Sequence, residues 1–441
     1  MKKNNKKLLM VTVGFPPRGG GGVQRNVKFL KYLTRLGWQT NVLTIKDSSF
    51  FVKDHSLLEE IKETSIFRSN SWDPITVTEN IKNVVGKNKA KKQVQSVQTG
   101  GSSLKDDAWY ATFYRKLREF VMLPDAYGGW IPFAYFLGKR IVKIKKPTIL
   151  FASFPGASNA IITYKLSKKF KIPYIIDFRD AWVDDPYVTY PSRFHKKLQA
   201  YYEKKIVTGA SRVVVYGDVL KAILEQKYPA IIGKVDVITN GFDPEDLEKV
   251  VPKDKDSRKV RIVYSGAVSF DRKANFYSFI DALQLLSKEI LERLEVIFVG
   301  KKYEWAFKLV NEKGLSNTVS FTGYLKHEDS LNYLASANAA LLFLAKGDLV
   351  AFTGKVFEYV GLKLPILACI EKEGVCAKML TSINHDQGVC DPSSAVAIAE
   401  KIKILVQDGL PRLEGANITA FSRKEHSLKM DKILSSILKL Q

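Results

Sequence analysis

A chain of 441 residues is longer than one hydrophobic core usually supports, so two domains are expected. Its 46% hydrophobic and 26% charged residues are those of a globular enzyme and exclude a disordered or fibrous protein, and no run reaches the ~18 apolar residues of a spanning helix. The 69 Lys+Arg against 45 Asp+Glu give a formal charge of +24, which calls for an anionic partner: nucleic acid, anionic lipid or a phosphorylated substrate. Cys369, Cys376 and Cys390 have no metal-type spacing and point to a reducing compartment. The basic, apolar start up to Phe15 is followed by Pro16-Pro17-Arg18 and glycines, not a cleavage site, so it reads as a first buried strand and the protein as cytoplasmic.

In chain order, Leu8–Val13 is a strand, Phe15 to Gly22 a glycine-rich loop, and Val23 opens a helix with Val27, Leu30, Leu33 and Leu36 on one face, stopped by Gly37. Thr40–Thr44 is the next strand. Strand, glycine loop, helix and strand open a doubly wound α/β domain, and glycines before a helix N-terminus let an anion approach the backbone. The loop is neither a dinucleotide fingerprint nor a P-loop, since no Lys-Ser/Thr follows.

Residues 46–108 show little periodicity. Ile81–Lys105 carries six lysines and no acidic residue and reads as a basic loop able to meet anionic lipid. Trp109–Leu123 reads as an amphipathic basic helix, either interfacial or packed on the domain. A helix from Trp130 to Lys146 brings Lys139, Arg140, Lys143, Lys145 and Lys146 together. Thr148–Ser153 and Pro173–Phe178 are strands. The latter ends in Asp177-Phe178-Arg179-Asp180, where Asp177 and Arg179 share a face and could pair, leaving Asp180 for a cleft. Arg212–Tyr216 and Val235–Thr239 are further strands, and Asp243 suits a helix cap. Polar residues place the domain junction near 245–258.

The alternation then restarts: strands at Lys259–Ser265, Leu294–Gly300, Val319–Phe321 and Ala340–Leu344, with Gly266 to Lys273 after the first. A helix opens near Thr353 and stops at Gly361. Its unpaired N–H groups, with Lys355 in the first turn, suit a phosphate, and Glu358 one turn on can accept from a sugar diol. His327 reads as a cap or surface residue. Phe421–Leu440 is a last helix.

Phe15-Pro16-Pro17 with Gly19–Gly22, Asp177-Phe178-Arg179-Asp180 with Trp182, Asn240-Gly241-Phe242-Asp243, Gly266 with Arg272-Lys273, and Gly354-Lys355 with Glu358-Tyr359 together resemble a family-4-type glycosyltransferase of the GT-B fold, close to bacterial enzymes of surface-polysaccharide assembly. The resemblance implies an α/β GT-B protein: two Rossmann-like doubly wound domains with the active site in the cleft between them. Residues 1–250 would form the acceptor domain, with an insertion at about 46–125, residues 251–420 the donor domain, and 421–441 a helix crossing back. It implies that Arg272 and Lys273 bind the donor diphosphate, Glu358 the ribose, Thr353, Gly354 and Lys355 a phosphate, and Tyr324 the base. Gly20, Gly21 and Gly22 would close over the diphosphate, with Gly266 beside it.

The implied reaction is transfer of a sugar, with retention, from a UDP-, GDP- or ADP-linked donor to a polyprenyl-diphosphate-linked or other glycan acceptor at the inner membrane face. No cofactor or metal would be required. Two departures stand out: Val350 occupies the position eight before Glu358 where relatives carry a first Glu, and no His follows the Asp177 strand, leaving Asp180 as the substitute catalytic residue. A GT-B sugar-nucleotide epimerase and a degenerate nucleotide-binding scaffold remain alternatives. No recognised module supports nucleic-acid binding.

Overall fold

The computed structural model describes residues 6–19, 21–46, 56–72, 123–185, 188–269, 272–350, 352–414 and 417–440. The basic stretch Ile81–Lys105, the helix expected over Trp109–Leu123 (apart from Leu123 itself) and Gly20 lie outside them. The chain divides into two compact units, Met1–Thr239 with Ser427–Gln441, and Asn240–His426.

The first unit is built on a seven-stranded parallel sheet in the order β3-β2-β1-β4-β5-β6-β7. The strands are β1 (Lys7–Val11), β2 (Gln39–Ile45), β3 (Ser65–Ser69), β4 (Ile149–Phe154), β5 (Tyr174–Phe178), β6 (Arg212–Val215) and β7 (Val235–Val237). The crossovers include α1 (Gly21–Arg35), α2 (Ile131–Lys145), α3 (Ala157–Phe170), α4 (Arg193–Gly209) and α5 (Asp218–Lys227). Alternation along β1 sends Leu9 and Val11 into one apolar layer and Leu8 and Met10 into the other, as a sheet covered on both faces requires. Edge strand β3, within a stretch with little sequence signal, pairs with β2 from Asn41–Ser65 to Ile45–Ser69.

The second unit repeats the plan with six parallel strands in the order β10-β9-β8-β11-β12-β13. They are β8 (Val260–Ser265), β9 (Leu294–Val299), β10 (Val319–Gly323), β11 (Ala339–Phe343), β12 (Ile366–Cys369) and β13 (Val389–Cys390). The helices needed below are α6 (Lys273–Gln284), α7 (Glu304–Glu312), α8 (His327–Ala335) and α9 (Gly354–Gly361). In both sheets the strand order reverses beside the first strand, between β1 and β4 and between β8 and β11. Such reversals leave a crevice at the carboxyl ends of the strands, where α/β proteins bind ligands. The glycine loop follows β1, and Gly266 follows β8.

The last helix, α10 (Arg423–Lys439), sends Met430, Ile433, Leu434 and Ile437 into the same layer as Leu8 and Met10. Asp431 fixes it there, accepting hydrogen bonds from Trp38 Nε1 at 2.7 Å and Lys6 Nζ at 2.9 Å. Cys369, Cys376 and Cys390 are free and buried, and among the described residues no helix is long and apolar enough to cross a membrane.

Candidate active site

In the second unit, β8 delivers Tyr264 and Ser265 to the strand end, and the chain turns through Gly266 at φ +118°, a left-handed conformation that glycine adopts without penalty. Gly266 N–H donates to the Val299 carbonyl at 2.6 Å. A side chain at Gly266 would collide with the Lys355 ammonium, so glycine here makes room for a cation.

That cation comes from α9. Thr353, extended at φ −88°, caps the helix by accepting from Lys355 N–H at 3.5 Å, and the helix opens where the sequence predicts. The helix is pinned to the end of β8 by Tyr359, whose hydroxyl accepts from Ser265 N–H and donates to the Leu341 carbonyl, both at 3.2 Å. The capping threonine and the buried Val356, Phe357 and Tyr359 thus aim Lys355 across Gly266. Gly354 is exposed with open space around it, so nothing in the fold requires a glycine there.

The helix stop differs from expectation. Gly361 is still helical, and the left-handed residue is Lys363 at φ +54°. Gly361 serves close packing instead: a Cβ there would lie 2.6 Å from Phe242 and 2.7 Å from Leu247.

Lys355 Nζ donates to the Tyr264 hydroxyl at 3.1 Å and lies 4.3 Å over its ring. Arg272 Nη1 donates to the same oxygen at 3.3 Å. Tyr264 donates in turn to the Ala267 carbonyl at 3.3 Å. Burial alone would push the Tyr264 phenol up, but the two cations outweigh it and hold it below the usual tyrosine range. Burial lowers the Lys355 ammonium, and Arg272 lowers it further, against the opposing pull of Tyr264 and Glu358. Lys273, expected to act with Arg272, instead places its ammonium over the rings of Tyr277 and Trp305, at 5.6 and 5.1 Å. The residue joined to Arg272 through Tyr264 is Lys355. The difference is geometric, since Lys273 is the first residue of α6 and its ammonium lies over two aromatic rings.

Glu358 is one turn beyond Lys355 with 20% of its side chain exposed. Burial raises its carboxyl above the ordinary range and Asp246 adds to this, while His327, Lys355 and Arg423 pull it down. His327 is more than a cap or surface residue: Lys326 is the N-cap of α8, and the imidazole stands 3.9 Å from both Glu358 and Asp246. Tyr324 follows β10 and is 59% exposed, beyond the left-handed Gly323. Before Val350, the loop is closed by Asp348, which accepts from Val350 N–H at 3.1 Å. The chain does hold one Asp-x-Asp, Asp254-Lys255-Asp256, in the exposed segment before β8, where Asp256 is paired with Arg258 at 2.9 Å.

In the first unit the strand-end acids separate in role. Asp177 does not pair with Arg179. It is fully buried and grips Arg25 of α1 with both oxygens, at 2.9 and 2.7 Å, and Arg25 also donates to the carbonyls of Thr239 and Ile238. Arg179, one residue past β5, donates to the Phe154 carbonyl at 3.1 Å and lies against Gly22, where any side chain would strike its guanidinium. Gly21 and Gly22 form the first turn of α1, which begins two residues before the predicted Val23. Asp180 is exposed. The loop after it is fixed by buried Glu203 of α4, which accepts from Val183 N–H, Tyr228 and Lys227 at 2.7–2.8 Å.

In this unit a cavity of about 300 Å³ follows β2 and β3. Lys46, Arg68 and Arg140 line it together with Phe133, Phe136 and Leu137 of α2. Phe136 and Ile144 on the same helix are 62% and 75% exposed.

Residues 90–246 match the model of Glycosyltransferase Family 4, and residues 246–420 that of Glycosyl transferases group 1. The two matches meet at residue 246 and run from within the basic stretch to just before the last helix. The chain is a two-domain glycosyltransferase of the GT-B fold, one part matching each model. Solved structures agree on the fold. HepE of Anabaena, in complex with UDP and glucose, is 14% identical, with a TM-score of 0.63 over 98% of this chain and all of that one. Sucrose-phosphate synthase of Thermosynechococcus elongatus is 13% identical, with a TM-score of 0.64 over 99% and 100%. A structure from Listeria monocytogenes described as a UDP-N-acetylglucosamine 2-epimerase gives 0.54 at 10% identity over 99% and 97%. No curated protein sequence matches.

Proposed function

We propose that this glycosyltransferase takes a sugar from a UDP-linked donor, with retention of configuration, and passes it to a lipid-linked glycan acceptor at a membrane surface in polysaccharide assembly. What supports the donor half is the pair of cations, Lys355 and Arg272, meeting over Gly266 at the sheet's switch point, with Glu358 one helical turn away. Breaking the glycosidic bond leaves growing charge on the diphosphate, and fixed cations in a buried setting stabilise that charge as it develops. With two cations in that role, the reaction needs no metal. UDP is the favoured nucleotide because HepE, of the same fold, has been solved with UDP and with UDP-glucose. Glu358 is suited to accept from the ribose hydroxyls, Thr353 and Gly354 to present helix N–H groups to a phosphate, and Tyr324 to cover the base.

For the acceptor, the cavity after β2 and β3 combines three cations with aromatic walls beside exposed Phe136 and Ile144, a chemistry suited to a phosphate attached to an apolar chain and to a peripheral position on an anionic membrane. Calorimetry with UDP, GDP and ADP, followed by transfer from labelled UDP-sugars to a polyprenyl-diphosphate-linked acceptor, tests the assignment. Binding of UDP that Glu358→Ala abolishes is the expected result. Donor turnover without any acceptor would instead indicate an epimerase, and equal weak binding of all three nucleotides would indicate charge attraction alone.

A further inference from the structure

The donor reading leaves one buried group unused. Tyr264 is fully buried, yet its hydroxyl is the point on which two cations from different elements converge: Lys355 from the first turn of α9 at 3.1 Å, and Arg272 from the residue before α6 at 3.3 Å. Two like charges held on one oxygen repel each other, so an apolar residue would serve the core better. The phenol is itself fixed, donating to the Ala267 carbonyl one residue after Gly266. Its lone pairs therefore point at the two cations. Gly266, whose side chain would displace the Lys355 ammonium, keeps the same place open. Three features of independent sequence origin thus maintain one arrangement.

Resting on the donor reading above, we propose that Tyr264 is a positioning residue that holds Lys355 and Arg272 as a paired clamp for the diphosphate of the donor nucleotide, and that Lys355, not Lys273, is the second cation of that clamp. The groups facing Lys355 are Tyr264 on β8, Arg272 ahead of α6 and Glu358 on its own helix. With no anion present, burial and Arg272 weaken the Lys355 ammonium's hold on its proton. A diphosphate placed between the cations reverses this, so binding is accompanied by proton uptake as the pH approaches the Lys355 pKa from below. Tyr264 acts the same way: its pKa is depressed by the same cations, and as tyrosinate it would repel the anion. Affinity for the diphosphate accordingly falls on the alkaline side.

The test is UDP binding by calorimetry, from neutral to alkaline pH and in two buffers of different ionisation enthalpy, on the full chain and on Tyr264→Phe, Lys355→Met and Lys273→Ala. Tyr264→Phe keeps the ring and removes only the shared oxygen. It is expected to melt near the wild-type temperature and to bind UDP about tenfold more weakly, the scale of a lost hydrogen bond to a charged group. Its alkaline limb should shift, because the phenol's own titration is gone and Lys355 has lost a partner that supports its charge. Lys355→Met is expected to abolish that part of the proton uptake and to lose more affinity than Lys273→Ala. A residue with a merely structural role would not move the limb. Wild-type binding of UDP with an unshifted limb in Tyr264→Phe, or a larger loss in Lys273→Ala than in Lys355→Met, overturns the clamp while leaving the donor site standing. A wild-type chain that binds none of UDP, GDP and ADP overturns both.

Discussion

The Arg25–Asp177 pair offers a quantitative test of what joins α1 to the sheet. Both side chains are fully excluded from solvent, and the guanidinium makes two bonds to the carboxylate and two to the carbonyls of Ile238 and Thr239. Asp177→Ala leaves Arg25 charged, buried and without its counter-ion, which for comparable sites removes about 3–5 kcal/mol of stability. In a unit of this size that corresponds to a melting shift of roughly 10 °C. Arg25→Met is expected to be at least as damaging, because it strands the Asp177 carboxylate and two buried carbonyls together, each unpaired group costing about 1–3 kcal/mol. The double variant Arg25→Met with Asp177→Leu removes both charges and strands only the carbonyls, so its loss should be smaller than the sum of the single losses by roughly 3 kcal/mol. Scanning calorimetry of the four proteins gives the cycle. Additive single effects, or a loss below about 1 kcal/mol in Asp177→Ala, would refute a buried ion pair as the link.

Other expectations follow from the same geometry. Glu358→Gln should lose nucleotide binding yet melt higher than wild type at neutral pH. Burial raises the folded carboxyl's pKa, so wild-type stability is greatest below the unfolded value of about 4.3 and is lost as pH rises through the folded one; the gap should close in acid. Gly361→Ala should destabilise the second unit by about 1–3 kcal/mol, since the added methyl must displace Phe242 or Leu247, whereas Gly354→Ala should leave the melting temperature nearly unchanged. For Asp431, burial pushes the carboxyl up, but the bonds from Trp38 and Lys6 and the Lys6 charge outweigh it and hold the pKa down. Its contribution is therefore present above the unfolded value of about 3.9 and fades as pH falls through the folded one, so Asp431→Asn should lose stability at neutral pH and approach wild type in acid. Phe136→Ser with Arg140→Ser should weaken binding to vesicles containing anionic phospholipid, measured by flotation, without altering UDP affinity; unchanged flotation would remove α2 from the membrane reading.

Much of the fold was legible because parallel strands buried on both faces write continuous apolar runs, and the glycine-marked turns after β1 and β8 punctuate them. Strand β3 was not legible: an edge strand of five residues, Ser-Ile-Phe-Arg-Ser, has too little apolar content to stand out in a weakly patterned stretch. The start of α9 near Thr353 could be read because helix-start signals are local. Tyr264 could not be distinguished from a core tyrosine, since the residues that give its hydroxyl meaning lie 8 and 91 positions away. Likewise Asp177 seemed matched to Arg179 by strand alternation, whereas its partner is 152 residues earlier. His327 showed the same limit: its place beside Glu358 and Asp246 is a product of tertiary packing.

The seating of α10 bears on how the protein is made. Leu8 and Met10 share an apolar layer with Met430, Ile433, Leu434 and Ile437, and Lys6 reaches Asp431 across 425 positions. During vectorial synthesis the second unit, contiguous from Asn240 to His426, has its whole sequence available before the first unit does. The amino-terminal half must therefore wait with part of its hydrophobic layer open, at the stage when nascent chains are most prone to aggregate and to engage chaperones. A nascent chain stalled before residue 427 should consequently show a protease-resistant second unit and a protease-sensitive first one, the reverse of the order in which they were translated.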